Sequence, residues 1–383
     1  MGIQVTFALL IAMVTAVYGG MIGAFTIGLI KGKKHQWAPR GNPPGFVSVI
    51  IAVRNEADNM PQILDELHDQ DFPADCLEVI VADDFSEDTT MAVARSFALQ
   101  HPEFPLMLVA SPDREITTTG KKSAIERAVA VAKGEILLFT DADTSRGAGW
   151  ISSMVSGFGP PEIQMVLGPV YFHQEKNLLQ KIQSLEFMGL MGTTAGSAAL
   201  GFPVMCNGAS LAYRRDAFMQ TGGFGDNLRY GSGDDQFMMI AIRKRFGKGA
   251  LAFNFDRRSA VGTVPEATMG SFLHQRLRWV SKSRGYRDPV VIFVGIITYL
   301  THLLLLAGIL TGFFIPALLA HSLLFWALKT LVEYPMVWIM NDFFGKKGLV
   351  KHYMIAQVFQ MFYVPVAGML GLVVPYRWKG RKG

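Results

Sequence analysis

Cysteine is nearly absent: the 383 residues include two, Cys76 and Cys206. That count leaves no disulfide framework and no cysteine-built metal centre, and it suits a reducing compartment. Charge is scarce as well, at 17% of residues against 50% apolar. The scarcity is uneven: Ile3 to Ile30 and Pro289 to Leu328 contain no Asp, Glu, Lys or Arg. An ordinary soluble enzyme is thereby excluded. No internal repeat and no low-complexity tract is present. The net charge of +5 is modest. Its clusters flank the apolar runs, which points to anionic lipid headgroups rather than nucleic acid as the basic residues' partners.

The first run, within residues 1–31, is longer than the ~30 Å hydrocarbon core requires of a helix. No Lys or Arg precedes it and it exceeds the length of a signal-peptide core, so a membrane anchor is expected rather than a cleaved leader. Lys31, Lys33, Lys34 and Arg40 follow it, which places that flank in the cytosol and the N-terminus outside. The second block, 289–376, is too long for one crossing. Gly312 and Pro316 offer a break, Lys329 and Glu333 can neutralise each other at i, i+4, and a further apolar segment runs from about Tyr353 to Pro375. Two or three helices are expected there. The basic tail (Arg377, Lys379, Arg381, Lys382) belongs in the cytosol, so an even number of crossings must follow the central domain. Pro365 marks the last segment as the candidate for an interfacial or re-entrant one.

The middle, 43–287, reads as a cytosolic α/β domain. Strands are expected at Phe46–Val53, Leu77–Ala82, Leu106–Val109 and Glu135–Thr140. Helices are expected at Asn59–Gln70, Thr89–Leu99 and Ser123–Ala132. This alternation implies a parallel, doubly wound sheet with ligands at the carboxyl ends of the strands. Glu56, Asp83, Asp84, Asp141 and Asp143 all follow strands, so one sheet edge gathers them.

Asp141-Ala142-Asp143 places two carboxylates one small residue apart. Such a pair needs a cation to offset repulsion, and Mg2+ or Mn2+ takes few carboxylates and fills its other positions with phosphate oxygens. The plain alternative is an acidic turn in solvent. Asp83-Asp84 could equally cap the following helix. Lys121 and Lys122 at a helix start oppose the helix dipole, which suggests an anion nearby, or simply two solvated lysines. Asp234 and Asp235 precede a helical stretch, as a cap or as a general base. Arg278 could grip a phosphate, and Trp279 could stack on a sugar or anchor at the bilayer interface.

In order, Arg54-Asn55-Glu56, Asp83-Asp84-Phe85-Ser86, Gly120-Lys121-Lys122, Asp141-Ala142-Asp143, and Gly233-Asp234-Asp235 followed by Gln275-x-x-Arg278-Trp279 resemble the motifs of family 2 glycosyltransferases. These are GT-A-fold enzymes that include cellulose, chitin and hyaluronan synthases and many lipid glycosyltransferases. The resemblance covers about Val47 to Trp279. It implies that Glu56, Asp83 or Asp84 and Lys121 hold the nucleotide, and that Asp141 and Asp143 hold the metal-diphosphate, with Asp143 as direct ligand. Asp235 matches the catalytic aspartate, with Asp234 beside it where the family usually has Glu. Gln275, Arg278 and Trp279 would close over diphosphate and acceptor. Arg54 stands where many members carry an aromatic residue. Asn207-Gly208-Ala209-Ser210 and the Gly222-Gly223-Phe224 turn resemble acceptor-side loops or are ordinary turns.

The expectation is therefore an inverting, metal-dependent transferase, integral to the cell membrane. It would move a sugar from a nucleotide-sugar, in the first instance a UDP-sugar, to a lipid or saccharide acceptor. A processive polysaccharide synthase, a phosphoglycosyl- or nucleotidyl-transferase and a non-catalytic membrane scaffold are the alternatives.

Overall fold

The structure, a computed structural model, describes residues 2–34, 45–112, 120–229, 233–374, 377–378 and 381–382. Arg40, the Pro43 boundary and Lys379 lie outside the described residues, as do the side chains of the rest of the basic tail.

A long helix α1 (Gly2–Lys34) leads into alternating β1 (Val47–Val53), α2 (Met60–His68), β2 (Leu77–Asp83), α3 (Thr90–Gln100), β3 (Leu106–Val109), α4 (Lys121–Val131) and β4 (Ile136–Phe139). These match the expected elements to within a few residues. β1 and β2 are apolar and buried along almost their whole length, as strands covered on both faces must be. Their parallel register sets Val53 beside Asp83, so the segments after both strands leave the sheet at one edge.

The four expected strands are parallel, in the order β3-β2-β1-β4, but the sheet continues beyond them and is mixed. After β5 (Thr144–Arg146), α5 (Trp150–Ser156), β6 (Met165–Leu167), β7 (Val170–Phe172) and α6 (Leu178–Ala199), strand β8 (Leu211–Arg214) enters between β4 and β6, antiparallel to both. With α7 (Arg215–Thr221), α8 (Asp234–Phe246) and β9 (Leu251–Phe253), the order becomes β3-β2-β1-β4-β8-β6-β9. A second sheet of three short strands, β5, β10 (Val261–Thr263) and β7, follows the Asp141–Asp143 segment. Helix α9 (Met269–Ser281) then carries the chain toward α10 (Pro289–Gly312), α11 (Pro316–Phe343) and α12 (Tyr353–Leu370). The α10–α11 break falls at Gly312 and Pro316, as expected.

Among the described residues, four helices are long and apolar enough to cross a membrane: those within Gln4–Lys34, Pro289–Gly312, Pro316–Phe343 and Lys347–Leu370. α1 runs to Lys34 rather than ending at 31. At about 1.5 Å per residue it is nearly 50 Å long, more than a bilayer core needs, and its surplus docks on the soluble domain. That dock is α6, whose buried residues include Phe187, Met191, Ala195 and Ala198. A Cβ added at Gly196 of α6 would lie 2.0 Å from the Phe25 carbonyl oxygen of α1, and one at Gly28 of α1 would lie 2.3 Å from the Gly196 oxygen. The two backbones touch because neither residue has a side chain. Further along, a Cβ at Gly192 would sit 2.3 Å from Met336 Cγ of α11.

Buried polar groups tie the remaining helices. Lys329 and Glu333 pair at 2.9 Å, Gln357 of α12 accepts from Lys329 at 2.8 Å and donates to Glu333 at 2.6 Å, and Tyr18 of α1 also donates to Glu333. α12 packs against the soluble domain at its middle and its end. Phe359 and Tyr363 meet Phe272 of α9 at 5.5 and 5.1 Å between ring centres, and a Cβ at Gly371 would touch Val280 at 2.6 Å.

Because backbone atoms cannot move aside as a flexible side chain can, Gly196→Val should force α1 and α6 apart and cost about 3 kcal/mol. The expected readout is a lower unfolding temperature of the purified protein in detergent.

Candidate functional site

Three strands of the parallel half, β1, β2 and β4, deliver acids to the same edge. Asp83 ends β2, and its carboxylate accepts from Ser86 N at 3.1 Å and Ser111 Oγ at 2.6 Å. Asp84 accepts from Gly120 N at 2.8 Å. Neither caps α3, where Asp88 Oδ1 instead accepts from Thr90 N at 3.0 Å. Arg54 is buried and donates to the carbonyls of Asp84 and Phe85 at 2.9 and 2.8 Å, so it fixes this loop. Glu56 is buried and accepts from Asn59 Nδ2 at 2.6 Å.

α4 begins at Lys121, two residues before the expected Ser123. The shift turns the Lys121 ammonium onto protein carboxylates, 2.6 Å from Asp141 and 3.4 Å from Asp234. The anion inferred from the unfavourable helix dipole is thus supplied in part by the chain itself. Burial works against the charge of Lys121, but Asp141 and Asp234 outweigh it and hold the ammonium well above its ordinary range. Lys122 beside it is buried under the Phe237 ring at 5.1 Å. Burial pulls its pKa down to about 8 against the upward pull of Asp234 and Asp235.

Asp234 and Asp235 open α8 behind Gly233, whose positive φ of 87° turns the chain into the helix. They are 14% and 13% exposed. Asp235 accepts from Gln236 N at 2.7 Å and lies 3.7 Å from Lys282 Nζ. Lys282 is held above the ordinary lysine range because Asp235 offsets its burial. Gly208 closes the group: a Cβ there would be 3.5 Å from both Asp234 Oδ2 and Lys121 Nζ and 3.6 Å from Asp235 Cβ. Side chains separated by more than a hundred residues therefore share one small volume.

That volume is the polar end of a cavity of about 1050 Å3. Glu56, Asp84, Lys121, Asp141, Asp143, Asp234, Asp235, Gln275, Arg278 and Trp279 all line it, and Asp83 stands behind its wall. Asp143 is exposed and Asp141 is 34% exposed, with buried Ala142 between them. Two hard oxygen donors at the cavity wall, one of them drawing a lysine to 2.6 Å, fit a divalent cation. The cavity continues away from the sheet edge between α1, α6, α10 and α12, past Met21, Leu190 and Val294, to Tyr18 and Glu333.

Three participants were not singled out from sequence. Lys282 lies three residues beyond Trp279. Glu186 of α6 and Arg276 of α9 form a buried ion pair at 2.6 Å, to which Tyr363 of α12 adds a hydrogen bond. The Arg276 guanidinium lies between the Phe272 and Trp279 rings, 4.4 and 4.3 Å from their centres, and donates to Gln275. Gln275 in turn donates to Glu266 at 3.1 Å. Trp279 packs inward on Phe187 at 6.4 Å, toward the cavity. The Gln-x-x-Arg-Trp helix is thus held by the residue between its named positions.

Arg276→Met should leave Glu186 charged and buried without its ion partner, at about 3–5 kcal/mol. Removing both charges, with Glu186→Leu added, should recover most of that loss. A double-mutant cycle on unfolding free energies measures it, with Trp279 fluorescence reporting the change at the cavity.

Comparison with known proteins follows the same lines. Glycosyltransferase AglE of Haloferax volcanii is 32% identical over 127 residues, 33% of this chain and 40% of that protein. An N-acetylglucosaminyltransferase of Rhizobium meliloti is 25% identical over 291 residues, 70% of this chain and 65% of that one. The chain thus spans less than two thirds of these relatives' length. The solved structure of mannosyltransferase PcManGT from Pyrobaculum calidifontis, in complex with GDP-Man and Mn2+, matches with a TM-score of 0.58 at 20% identity, over 93% of this chain and 99% of that one. The fold is accordingly that of the GT-A glycosyltransferases. The family model for glycosyl transferase family 21, of the same clan as family 2, matches residues 8–382, and the chain belongs to that family.

Proposed function

We propose that the protein transfers a sugar, with inversion, from a nucleotide-sugar, in the first instance a UDP-sugar, to a hydroxyl of a lipid or lipid-linked acceptor at the cytosolic membrane face. The observation that carries this reading is the single cavity that joins the acid cluster to walls made by membrane-type helices. A donor with a charged diphosphate suits one end. An acceptor with an apolar body suits the other.

In this reading Glu56, Asp83 and Asp84 shape the nucleotide's seat, Asp83 through the loop it stiffens and the other two from the cavity wall. Asp141 and Asp143 hold a divalent ion, Mg2+ or Mn2+, which when bound supplies positive charge against the diphosphate. Lys121 then has a second anion within reach. Asp235, short and held at the start of α8, takes the proton from the acceptor hydroxyl. The hydroxyl oxygen forms its bond to the anomeric carbon as the bond from that carbon to the diphosphate oxygen breaks. The nucleoside diphosphate leaves with the electron pair. Arg278, which also lines the cavity, offsets the charge that develops on the diphosphate, while Lys282 stays beside Asp235. Asp234 acts through Lys121, which it shares with Asp141.

Packing supports one placement in the membrane: α12 lies against α9 and α6 of the domain as well as against α10. Taking it as an interfacial helix leaves α10 and α11 as the two crossings after the domain. Domain and basic tail then share the cytosolic side, with the N-terminus outside. A processive synthase is a second reading, but four such helices, one of them along the interface, form a small block for a polymer channel.

Asp143→Ala and Asp235→Ala should each reduce transfer at least about a thousandfold while leaving the unfolding temperature near that of the parent, and chelation with EDTA should mimic the first. Near-normal turnover by either variant overturns the assignment. Release of nucleoside monophosphate in place of diphosphate would show a phosphoglycosyl-transferase instead.

A further inference from the structure

The amino-end edge of the sheet, opposite the cavity, carries a separate cluster. α2 and α3 both run back from the acid-bearing edge, so their last residues lie far from the sugar site. His68 closes α2, His101 directly follows α3, and Glu103 stands in the turn that leads to β3. His68 Nε2 is 3.4 Å and His101 Nδ1 is 3.5 Å from the same Glu103 oxygen, Oε1. One donor atom from each of the three residues lies within 4.8 Å of the other two.

These distances decide between two accounts of the cluster. A charge-assisted hydrogen bond between imidazolium and carboxylate is about 2.7–2.9 Å long, well short of what is seen. A tetrahedral ion with bonds of about 2.0–2.1 Å sets its ligands roughly 3.3–3.4 Å apart, which two of the three edges already approach. The third, between the two imidazoles, is within 4.8 Å. The histidines are also arranged as ligands are. Asp69 Oδ1 lies 3.4 Å from His68 Nδ1, the nitrogen turned away from the cluster, on the side where a carboxylate–histidine–metal triad has its outer carboxylate. Phe97 stacks on His101 at 4.4 Å, and Phe104 meets the His68 ring edge-on at 5.6 Å, so both rings are braced. The side chains of His68 and His101 remain 36% and 33% exposed and Glu103 65%, which leaves a route for an ion and room for a water.

We propose that His68, His101 and Glu103 form a second metal site, for Zn2+ or a similar borderline cation, with Asp69 as outer partner and water in the fourth position. An ion there pins the far ends of α2 and α3 together. The near ends of the same helices follow the loops that carry Glu56 and Asp83-Asp84, so the clip stiffens the nucleotide edge from behind. Imidazole donors distinguish it from the all-oxygen Asp141–Asp143 pair, and it stands independently of the transfer reaction proposed above.

The test uses the full chain in detergent, stripped of metal, with Asp141→Asn and Asp143→Asn introduced so that the cavity acids do not compete. Calorimetric titration with Zn2+ should show one equivalent bound, Co2+ should give the strong visible bands of a four-coordinate ion, and Zn2+ should raise the unfolding temperature. His68→Ala or His101→Ala should abolish all three signals, and Glu103→Gln should weaken binding at least roughly tenfold. Unchanged stoichiometry and affinity in both histidine variants would overturn the proposal, as would absence of Zn2+ uptake by the parent at roughly 0.1 mM.

Discussion

The Lys121 ammonium is the constraint on which the site depends. Acids from β2, β4 and α8 converge on one sheet edge, and two charges 4 Å apart at a partly buried site interact by about 4 kcal/mol. Left alone, Asp141 and Asp234 would repel. Lys121 touches both and so converts a repulsive cluster into a held one. Lys282 does the same for Asp235 from a different element. Placing a lysine in the first turn of α4 is unfavourable for that helix. The cost is local and small, while the gain is the geometry of residues ninety positions apart.

A second constraint acts on the membrane side. The cavity has a continuous wall only if α1, α6, α10 and α12 keep their relative positions. Apolar attraction alone does not fix one helix against another in lipid, because lipid tails are equally apolar. Close backbone approach at Gly28 and Gly196, and the buried Lys329–Glu333–Gln357–Tyr18 group, supply the specificity that greasy surfaces lack. α6 is the joint, since it meets α1, α11 and α12 on one side and β7 and β9 on the other.

Much of this was legible from sequence, and the reasons differ by region. From Val47 to Phe139 strands and helices alternate at clear periods, and the rule that acids after parallel strands share an edge then located the cluster. The direction of β8 was not legible, because Leu211-Ala-Tyr-Arg214 is equally a parallel or antiparallel strand. The small sheet of β5, β7 and β10 was missed because three-residue strands carry no periodicity. α6 was missed for the opposite reason: it is buried nearly all round, so it shows no apolar stripe to find. Lys282, Glu186 and Arg276 owe their roles to partners distant in sequence. Arg276 in particular sits inside a recognised motif, yet its pairing with Glu186 follows only from the α6–α9 contact.

The arrangement of α12 links these points. Its Tyr363 joins the Glu186–Arg276 pair on the domain side, while its Gln357, six residues earlier, joins the Lys329–Glu333 pair among the membrane helices. The two side chains are about 9 Å apart along the helix axis and point to different sides of it, so one helix ties the domain to the membrane-type helices. Pro365 lies inside this helix and is buried, where neighbouring protein groups can re-satisfy the backbone it frees. The same helix walls the cavity beside α10, against which it packs. In the reaction proposed above, one element would therefore position both the acceptor's apolar body and the Gln-x-x-Arg-Trp helix, and the contacts that orient Trp279 would also set the acceptor's depth.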